Sequence, residues 1–126
     1  MTETTTADIS ATVDTSLAAL TETDETTRGE LLARAWAADG SLTDPPLVGE
    51  GLAGLNDFAA VLCQHYAGQR FRRVSGVDVH HDRFRYAWEL VAPDGTVTVA
   101  GIDVGTVAPD GRLQTVTGFF GDLPAA

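Results

Sequence analysis

The sequence contains no lysine, and all eight of its basic side chains are arginines. Without lysine the protein cannot form a Schiff base with a carbonyl substrate, and it has no lysine general base. Acidic residues outnumber basic ones, which gives a formal net charge of −10 at pH 7. This charge repels phosphates and acidic lipid headgroups, so we expect no nucleic-acid partner and no membrane partner.

Cysteine and long apolar runs are also scarce. The single cysteine, Cys63, excludes an internal disulfide and fits a reducing cytoplasm. Residues 1–7 are polar and do not resemble a secretory signal. No other stretch is long and apolar enough to span a membrane. We predict a cytoplasmic protein with a disordered tail over residues 1–7 and one folded domain over residues 8–126.

Apolar residues follow helical spacing in the first half of the chain and alternate in the second half. Helical spacing predicts helices over residues 8–20, about 24–40 and about 54–68, with a brief strand over 41–44 and a turn over 49–51. Alternation predicts four strands, over residues 71–78, 83–92, 97–107 and 113–121. This order predicts an α+β fold, in which N-terminal helices pack on a strongly curved antiparallel sheet and form a cone with an internal cavity.

Two aspartates stand out because the strands around them are otherwise apolar. Asp103 shares one strand face with Val99, Gly101 and Gly105. A carboxyl group there is costly to bury unless it is protonated, paired or hydrogen-bonded. Asp44 ends the brief strand, directly before two prolines. Carboxyl groups in an apolar cavity suit proton-transfer catalysis, which makes both residues catalytic candidates. The alternatives are that Asp44 caps a turn and that Asp103 is solvated on the outer face.

The strand over residues 83–92 has an aromatic face and a charged face. We expect the aromatic face to line the cavity, with plain core packing as the alternative. That face comprises Phe84, Tyr86, Trp88 and Leu90, and the opposite face has Arg83, Arg85 and Glu89. Val99, on the face of Asp103, is a further candidate for ligand binding. Trp36, on the second predicted helix, either reaches the same space or belongs to the core.

These elements and their motifs resemble a known family. The chain resembles the nuclear transport factor 2-like superfamily in its two first helices, the segment Ala37-Ala38-Asp39-Gly40-Ser41-Leu42-Thr43-Asp44-Pro45, the third helix and the Asp110-Gly111-Arg112-Leu113 hairpin between the last strands. Within that superfamily it is similar to SnoaL-like polyketide cyclases and ketosteroid isomerases. The resemblance implies the fold predicted above and leaves the activity open, because this fold is shared by enzymes and non-enzymes.

The resemblance to ketosteroid isomerases assigns roles to several residues. Asp44 matches their general base, and Asp103 matches the protonated aspartate that donates a hydrogen bond to the substrate oxyanion. Val116 and Phe120 match positions that line the pocket. The isomerases use a tyrosine of the first helix as a second oxyanion donor, and this chain has no tyrosine there. We expect Tyr86 to supply that donor.

Other polar clusters are less specific. His80 and His81 are adjacent in a strand and point to opposite faces, so they cannot easily share a metal ion. His80 alone remains a candidate acid or base. The cluster of Arg70, Arg72 and Arg73 either balances carboxylates on the outer sheet or binds a carboxylate ligand. We predict no metal and no cofactor.

Two functions of different class fit these observations. The first is a cofactor-independent acid/base enzyme (an isomerase, cyclase or epoxide-opening hydrolase) whose pocket takes a small apolar molecule of polyketide or steroid type. The second is a non-catalytic ligand-binding or interaction module on the same fold. In either case we expect a homodimer formed through the outer sheet face. The sequence leaves the reaction type and the ligand open.

Overall fold

Three helices and seven strands lie within the residues that the structure, a computed structural model, describes, namely 5–45 and 47–126. The helices are α1 (Thr6–Leu20), α2 (Glu25–Ala35) and α3 (Gly51–His65). The strands are β1 (Trp36–Thr43), β2 (Val48–Glu50), β3 (Arg70–Arg73), β4 (Asp78–His80), β5 (Arg83–Val91), β6 (Val97–Val107) and β7 (Leu113–Phe120). Helices packed on one sheet confirm the predicted α+β class.

α1 begins earlier than its apolar spacing predicts. Thr5 and Asp8 form a reciprocal capping box, in which each side chain accepts a hydrogen bond from the backbone N–H of the other at 3.1 Å. Such a box satisfies N–H groups that would otherwise lack partners at the start of a helix. Residues 5–7 therefore belong to the start of α1 rather than to the predicted tail. Residues 1–4 of that tail lie outside the described part of the chain.

The junction between α2 and β1 differs from the prediction. α2 ends at Ala35, and Trp36 has extended dihedral angles (φ −117°, ψ 142°) and pairs with Leu113 of β7. Strand pairing therefore overrides the helical spacing that placed Trp36 and Gly40 in a helix. The Trp36 side chain lies in the core, where its indole Nε1 donates to the Ser16 hydroxyl at 3.0 Å.

The strands form one mixed sheet in the order β2-β1-β7-β6-β5-β3, with β4 also paired to β5. Every pair is antiparallel except β1 with β7, which is parallel. This pair places an early strand beside the last one, so residues from distant parts of the chain can share a site. Register shifts at Leu90/Val91 and Thr106/Val107 bend the sheet, as the predicted curvature requires.

Two predicted segments are divided differently in the structure. The strand predicted over residues 71–78 is two short strands, β3 and β4, because the chain between them leaves the ladder at residues 74–77. The turn predicted over 49–51 is instead the end of β2 and the first residue of α3. There Gly49 lies so close to α3 that a Cβ atom would stand 2.9 Å from Gly54 O. Pro46, the second of the two prolines after Asp44, lies outside the described residues.

The two faces of β5 and β6 separate as the alternation predicts. The inner face packs against the helices, and its β5 residues Phe84, Tyr86, Trp88 and Leu90 are at most 4% exposed. The outer face has Arg83, Arg85 and Glu89 on β5. It also exposes Ile102 and its cross-strand neighbour Phe119. Among the described helices, none is both long and apolar enough to cross a membrane.

Candidate active site

Asp103 lies at the centre of the inner sheet face. β6 places it between Gly101 and Gly105, and β5 places Tyr86 directly opposite. Only 8% of the residue is exposed. Tyr86 Oη donates to Asp103 Oδ2 at 2.5 Å, and Trp88 Nε1 donates to Oδ1 at 2.8 Å. Both carboxyl oxygens therefore accept hydrogen bonds from neutral groups, and no arginine within the described chain forms an ion pair with Asp103.

The register between β5 and β6 holds these groups in place. The facing pairs are Phe84 with Gly105, Tyr86 with Asp103, and Trp88 with Gly101. A Cβ atom would stand 2.6 Å from the Phe84 ring at Gly105 and 2.6 Å from the Trp88 ring at Gly101. The two glycines let these rings lie against the β6 backbone. As a result, Asp103 lies between two closely packed aromatic side chains.

Asp44 reaches the same place from β1. It follows Thr43, whose partner in the parallel pair is Thr117 of β7. Gly118 lies between the two aspartates. A Cβ atom there would stand 3.0 Å from Asp103 Oδ1 and 3.1 Å from Asp44 Cβ. The absence of a side chain at Gly118 leaves the space over which the two carboxyl groups converge.

Burial makes both carboxyl groups weaker acids. Loss of hydration raises the pKa of Asp103 to about 6, although hydrogen bonds from Tyr86 and Trp88 lower it. Burial and then the nearby charge of Asp103 raise the pKa of Asp44 to about 6, against a backbone hydrogen bond from Leu47. Two interacting carboxyl groups titrate as a pair. Burial also raises the pKa of Tyr86 well above its ordinary value, so this phenol keeps the proton that it donates.

The two aspartates line a small apolar cavity, called here the inner cavity. Its volume is about 30 Å³, enough for about one or two water molecules. Its other lining residues are Leu17, Leu20, Leu42, Phe58, Leu62, Tyr66, Phe71, Trp88, Leu90, Val99 and Phe120. None of these described lining residues is basic. The carboxyl groups therefore lie in surroundings of low polarity, which explains their raised pKa values.

A larger space, called here the vestibule, opens beside the inner cavity. Its volume is about 230 Å³, and it shares Asp44, Leu62, Tyr66 and Phe120 with the inner cavity. The rest of its lining is Pro45, Leu47, Val61 and His65. Asp44 borders both spaces, whereas Asp103 borders only the inner cavity.

The structure divides the predicted site residues into two layers. Asp44, Asp103, Trp88, Leu90, Val99 and Phe120 line the inner cavity. Trp36, Phe84, Tyr86 and Val116 do not line it; like Trp88 and Leu90, they are at most 4% exposed and belong to the core cluster. The Tyr86 hydroxyl donates to Asp103, and Tyr86 is not among the residues that line the inner cavity.

The site predicted from the sequence omits the residues of α3 and β3, and Tyr66 just after α3, that close the inner cavity. Tyr66, just after α3, lines both spaces, and its hydroxyl forms no hydrogen bond within the described part of the chain. Phe71 of β3 stands edge-on to Trp88 with ring centroids 5.3 Å apart. The helical spacing of Phe58, Leu62 and Tyr66 is the signal that could have revealed this wall, because it places them on one helix face.

The remaining polar clusters lie outside the cavity. Arg72 pairs with Glu89 of the outer sheet face at 2.6 Å, which supports the charge-balancing interpretation for this residue. Arg73 pairs at 2.8 Å with Asp14, which belongs to α1 rather than to the sheet. His80 is exposed on β4 and lines neither the inner cavity nor the vestibule. Within residues 5–45 and 47–126, no group of three or more His, Cys, Asp or Glu side chains is arranged to hold a metal ion.

Solved structures of the same architecture are similar to this chain. A SnoaL-like family protein from Agrobacterium tumefaciens str. C58, named as a candidate isomerase, matches with a TM-score of 0.82 and 33% identity, over 89% of this chain and 96% of that one. An NTF2-like protein from Exiguobacterium sp. 255-15 matches with a TM-score of 0.69 and 16% identity, over 89% and 99%. A protein with a ketosteroid isomerase-like fold from Catenulispora acidiphila DSM 44928 matches with a TM-score of 0.67 and 14% identity, over 86% and 83%.

These matches differ in what they establish. The two at lower identity share the fold alone. The chain matches no family model and no curated protein sequence. The Agrobacterium protein, in contrast, is a relative over almost the full length of both chains. The chain belongs to the SnoaL-like family, as its sequence resemblance predicts.

Proposed function

We propose that the protein is a cofactor-independent isomerase that moves a proton within a small, uncharged carbonyl compound. The main support is the convergence of Asp44 and Asp103 over Gly118, in a cavity whose described lining has no basic side chain. Two carboxyl groups with raised pKa values can supply a base and an acid in one turnover. The name of the Agrobacterium relative, a candidate isomerase, agrees with this proposal.

Asp44 is the better candidate for the base. It borders the vestibule as well as the inner cavity. Its carboxyl group accepts a backbone hydrogen bond from Leu47 but none from a described side chain, which leaves further lone pairs to take the substrate proton. In the proposed reaction its carboxylate removes a proton from the carbon beside the substrate carbonyl, and the electron pair delocalises onto the carbonyl oxygen. Asp44 then returns the proton to a second carbon, so a double bond shifts and the enzyme is regenerated.

Asp103, in the protonated form that predominates below its pKa of about 6, would donate a hydrogen bond to that oxygen. Its Oδ1 borders the space over Gly118, and Tyr86 and Trp88 fix its orientation. Such preorganised donors stabilise the developing negative charge in a site of low polarity. The Tyr66 hydroxyl lines the same cavity and is the candidate for a second donor.

Hydrogen exchange on carbon tests this proposal without knowledge of the natural substrate. The protein is incubated in D₂O with a panel of small enolisable ketones, including β,γ-unsaturated ones. Proton NMR then follows loss of the C–H signal and migration of the double bond. We expect Asp44→Asn to lower the exchange rate about 10²–10⁴-fold, which is the usual contribution of a general base.

Asp78→Asn is the matched control, because Asp78 pairs with Arg85 on the outer face. This variant should exchange at the rate of the unmodified protein. Exchange that survives Asp44→Asn would contradict the proposal, and so would the absence of exchange with every ketone.

A second candidate function is the binding of a small organic cation without chemistry. It is favoured by the lining, which combines two carboxyl groups with the rings of Phe58, Tyr66, Phe71, Trp88 and Phe120. Carboxylates and aromatic faces both attract ammonium groups. The Catenulispora protein of the same fold was solved in complex with trimethylamine. Calorimetric titration with trimethylammonium chloride tests this function. Binding that Asp103→Asn weakens, without carbon exchange, would favour it over the isomerase.

We also propose a homodimer formed through the outer sheet face, with the cytoplasm as its location. Ile102 and Phe119 are 47% and 60% exposed there, and a second copy would cover them. Sedimentation velocity of the purified protein is the measurement for this proposal.

A further inference from the structure

We infer that Phe120 divides the site and makes it selective for slim ligands that enter end-on. This inference rests on the proposed function for the identity of the reacting groups, and it adds the shape of the ligand. The starting observation is that the two aspartates have unequal access. The inner cavity, of about 30 Å³, reaches both of them, whereas the vestibule, of about 230 Å³, reaches only Asp44.

The inner cavity cannot enclose a whole organic substrate, since ligand pockets usually measure about 300–1,000 Å³. A ligand whose carbonyl end lies beside Asp103 must therefore keep the rest of its length in the vestibule. It passes Leu62, Tyr66 and Phe120, which are the apolar side chains that border both spaces. A straight chain fits such a passage, whereas a fused-ring molecule requires one of the three to be absent or displaced.

Of these three residues, Phe120 is the one that can set the limit. Leu62 is only 8% exposed and belongs to the core of α3. Tyr66 caps α3, with its N–H donating to Leu62 O at 2.8 Å. Phe120 ends β7, is 42% exposed and precedes Gly121, whose φ is +73°. Its ring stands edge-on to the Trp88 indole at a centroid distance of 5.6 Å. Phe120 therefore packs against the side chain that donates a hydrogen bond to Asp103.

The lining also restricts the charge of the ligand. Asp44, Asp103, His65 and the Tyr66 phenol are the ionisable groups among the described residues around the two spaces. The chain as a whole has a net charge of −10. An anionic ligand would be repelled without an arginine to offset the repulsion. The lining therefore disfavours an anionic ligand, and under the proposed function the ligand is an uncharged molecule with a terminal carbonyl group on a narrow chain.

The test compares Phe120→Ala with Phe119→Ala in the full-length protein. Phe119 is the matched control, because it is adjacent, is 60% exposed and lines neither space. The probes are a straight-chain methyl ketone and a rigid fused-ring ketone of steroid size. Binding is followed through the indole N–H signals in NMR titrations. Trp88 reports on the inner cavity, and Trp36, whose indole donates to Ser16 in the core, is an internal reference.

We expect the methyl ketone to shift the Trp88 signal of the unmodified protein and the fused-ring ketone to leave it unchanged. In Phe120→Ala, the affinity for the fused-ring ketone should rise about tenfold or more, because pocket contacts of this size discriminate by such factors. Phe120→Leu should give an intermediate gain, and Phe119→Ala should give none. Equal affinity of the unmodified protein for both ketones, no gain in Phe120→Ala, or no binding of either ketone would overturn the inference.

The binding measurement separates this inference from the proposed chemistry. If the Trp88 signal shifts with ketone size as expected but no hydrogen exchange on carbon is seen, the isomerase proposal is refuted and the size selection is supported. Exchange of the fused-ring ketone by the unmodified protein would refute the size selection and leave the chemistry standing.

Discussion

Carboxyl groups on the two faces of the sheet have opposite surroundings. On the outer face, Asp78 pairs with Arg85 at 2.8 Å, and both side chains are more than half exposed. On the inner face, Asp103 has two neutral donors, is only 8% exposed and forms no ion pair with an arginine of the described chain. An exposed pair contributes about 0–1 kcal/mol to stability. A buried carboxylate without a cation instead destabilises the folded state. The comparison indicates that the charged form of Asp103 costs stability, whereas the exposed pair on the outer face is close to neutral.

The effect of the buried Asp103 carboxyl group on the free energy of unfolding depends on pH. The pKa of Asp103 is about 6 in the folded protein, against an ordinary value of 3.8. Between these values the unfolded chain has released the proton and the folded chain still binds it. Stability therefore falls as the pH rises from about 4 to about 6, and it stays reduced above that range. Substitutions on each face test this difference between the two sets of carboxyl groups.

Gly105→Ala is expected to have the largest effect. The new Cβ would stand 2.6 Å from Phe84 Cζ and would also meet the backbone carbonyl of Thr115, which cannot easily move. Overpacking of this kind costs about 1–3 kcal/mol and occasionally more. We therefore expect the free energy of unfolding, measured in urea, to fall by about 3 kcal/mol. Val104→Ala, one residue away on the outer face, should cost less than about 1 kcal/mol. Equal losses would contradict the assignment of the two faces.

Asp103→Asn is expected to change the pH dependence of stability. The asparagine cannot ionise, but its amide can still accept from Trp88 and donate to the Tyr86 oxygen. Through Asp103, the unmodified protein should lose about 2 kcal/mol between about pH 4.5 and about pH 7.5, since one pKa unit corresponds to about 1.4 kcal/mol. The free energy of unfolding of the variant should not show this loss. Urea denaturation at the two pH values measures it. Asp78→Asn is the control and should keep it. An unchanged pH dependence in Asp103→Asn would show that the carboxyl group is hydrated.

Tyr86→Phe is expected to have a smaller effect on stability. Like burial, it should raise the pKa of Asp103. The hydrogen bond from Tyr86 lowers the pKa of Asp103, so its removal should raise that pKa further above 6. We expect a loss of about 1.5 kcal/mol at neutral pH, where Asp103 is charged, and a smaller loss at low pH. If Tyr86 were instead a direct donor to ligands, the pH profile of stability would not move and only ligand binding would weaken. Urea denaturation across the pH range distinguishes these outcomes.

Local patterns in the sequence were sufficient to predict the faces of the sheet. Alternation over β5 and β6 has a period of two, which any short stretch of strand shows. It correctly placed Trp88, Leu90, Val99 and Asp103 on the inner face. The helical spacing before β1 was misleading for Trp36, because pairing with β7 extended that segment into a strand. Propensity and spacing are local, and tertiary pairing overrides them.

Long-range pairing set the details that local patterns could not predict. The contact of Tyr86 with Asp103 depends on the register of β5 on β6, which includes a shift at Leu90/Val91. The convergence of Asp44 on Asp103 depends on the parallel pair of β1 with β7 and on Gly118. At the sequence level only the family resemblance indicated that these two aspartates share a site. The volumes of the inner cavity and the vestibule depend on helix packing, which no single segment determines.

The most direct test of the account is a titration of Asp44 and Asp103 by carboxyl carbon NMR, in the unmodified protein and in Asp103→Asn. Both residues should titrate near the pKa of about 6 that their burial implies. In Asp103→Asn the pKa of Asp44 should fall, because the like charge that raises it is gone. If both residues titrate near the ordinary value of 3.8, and if Asp44 is insensitive to the substitution, the paired buried carboxyl groups on which the proposed function rests do not exist.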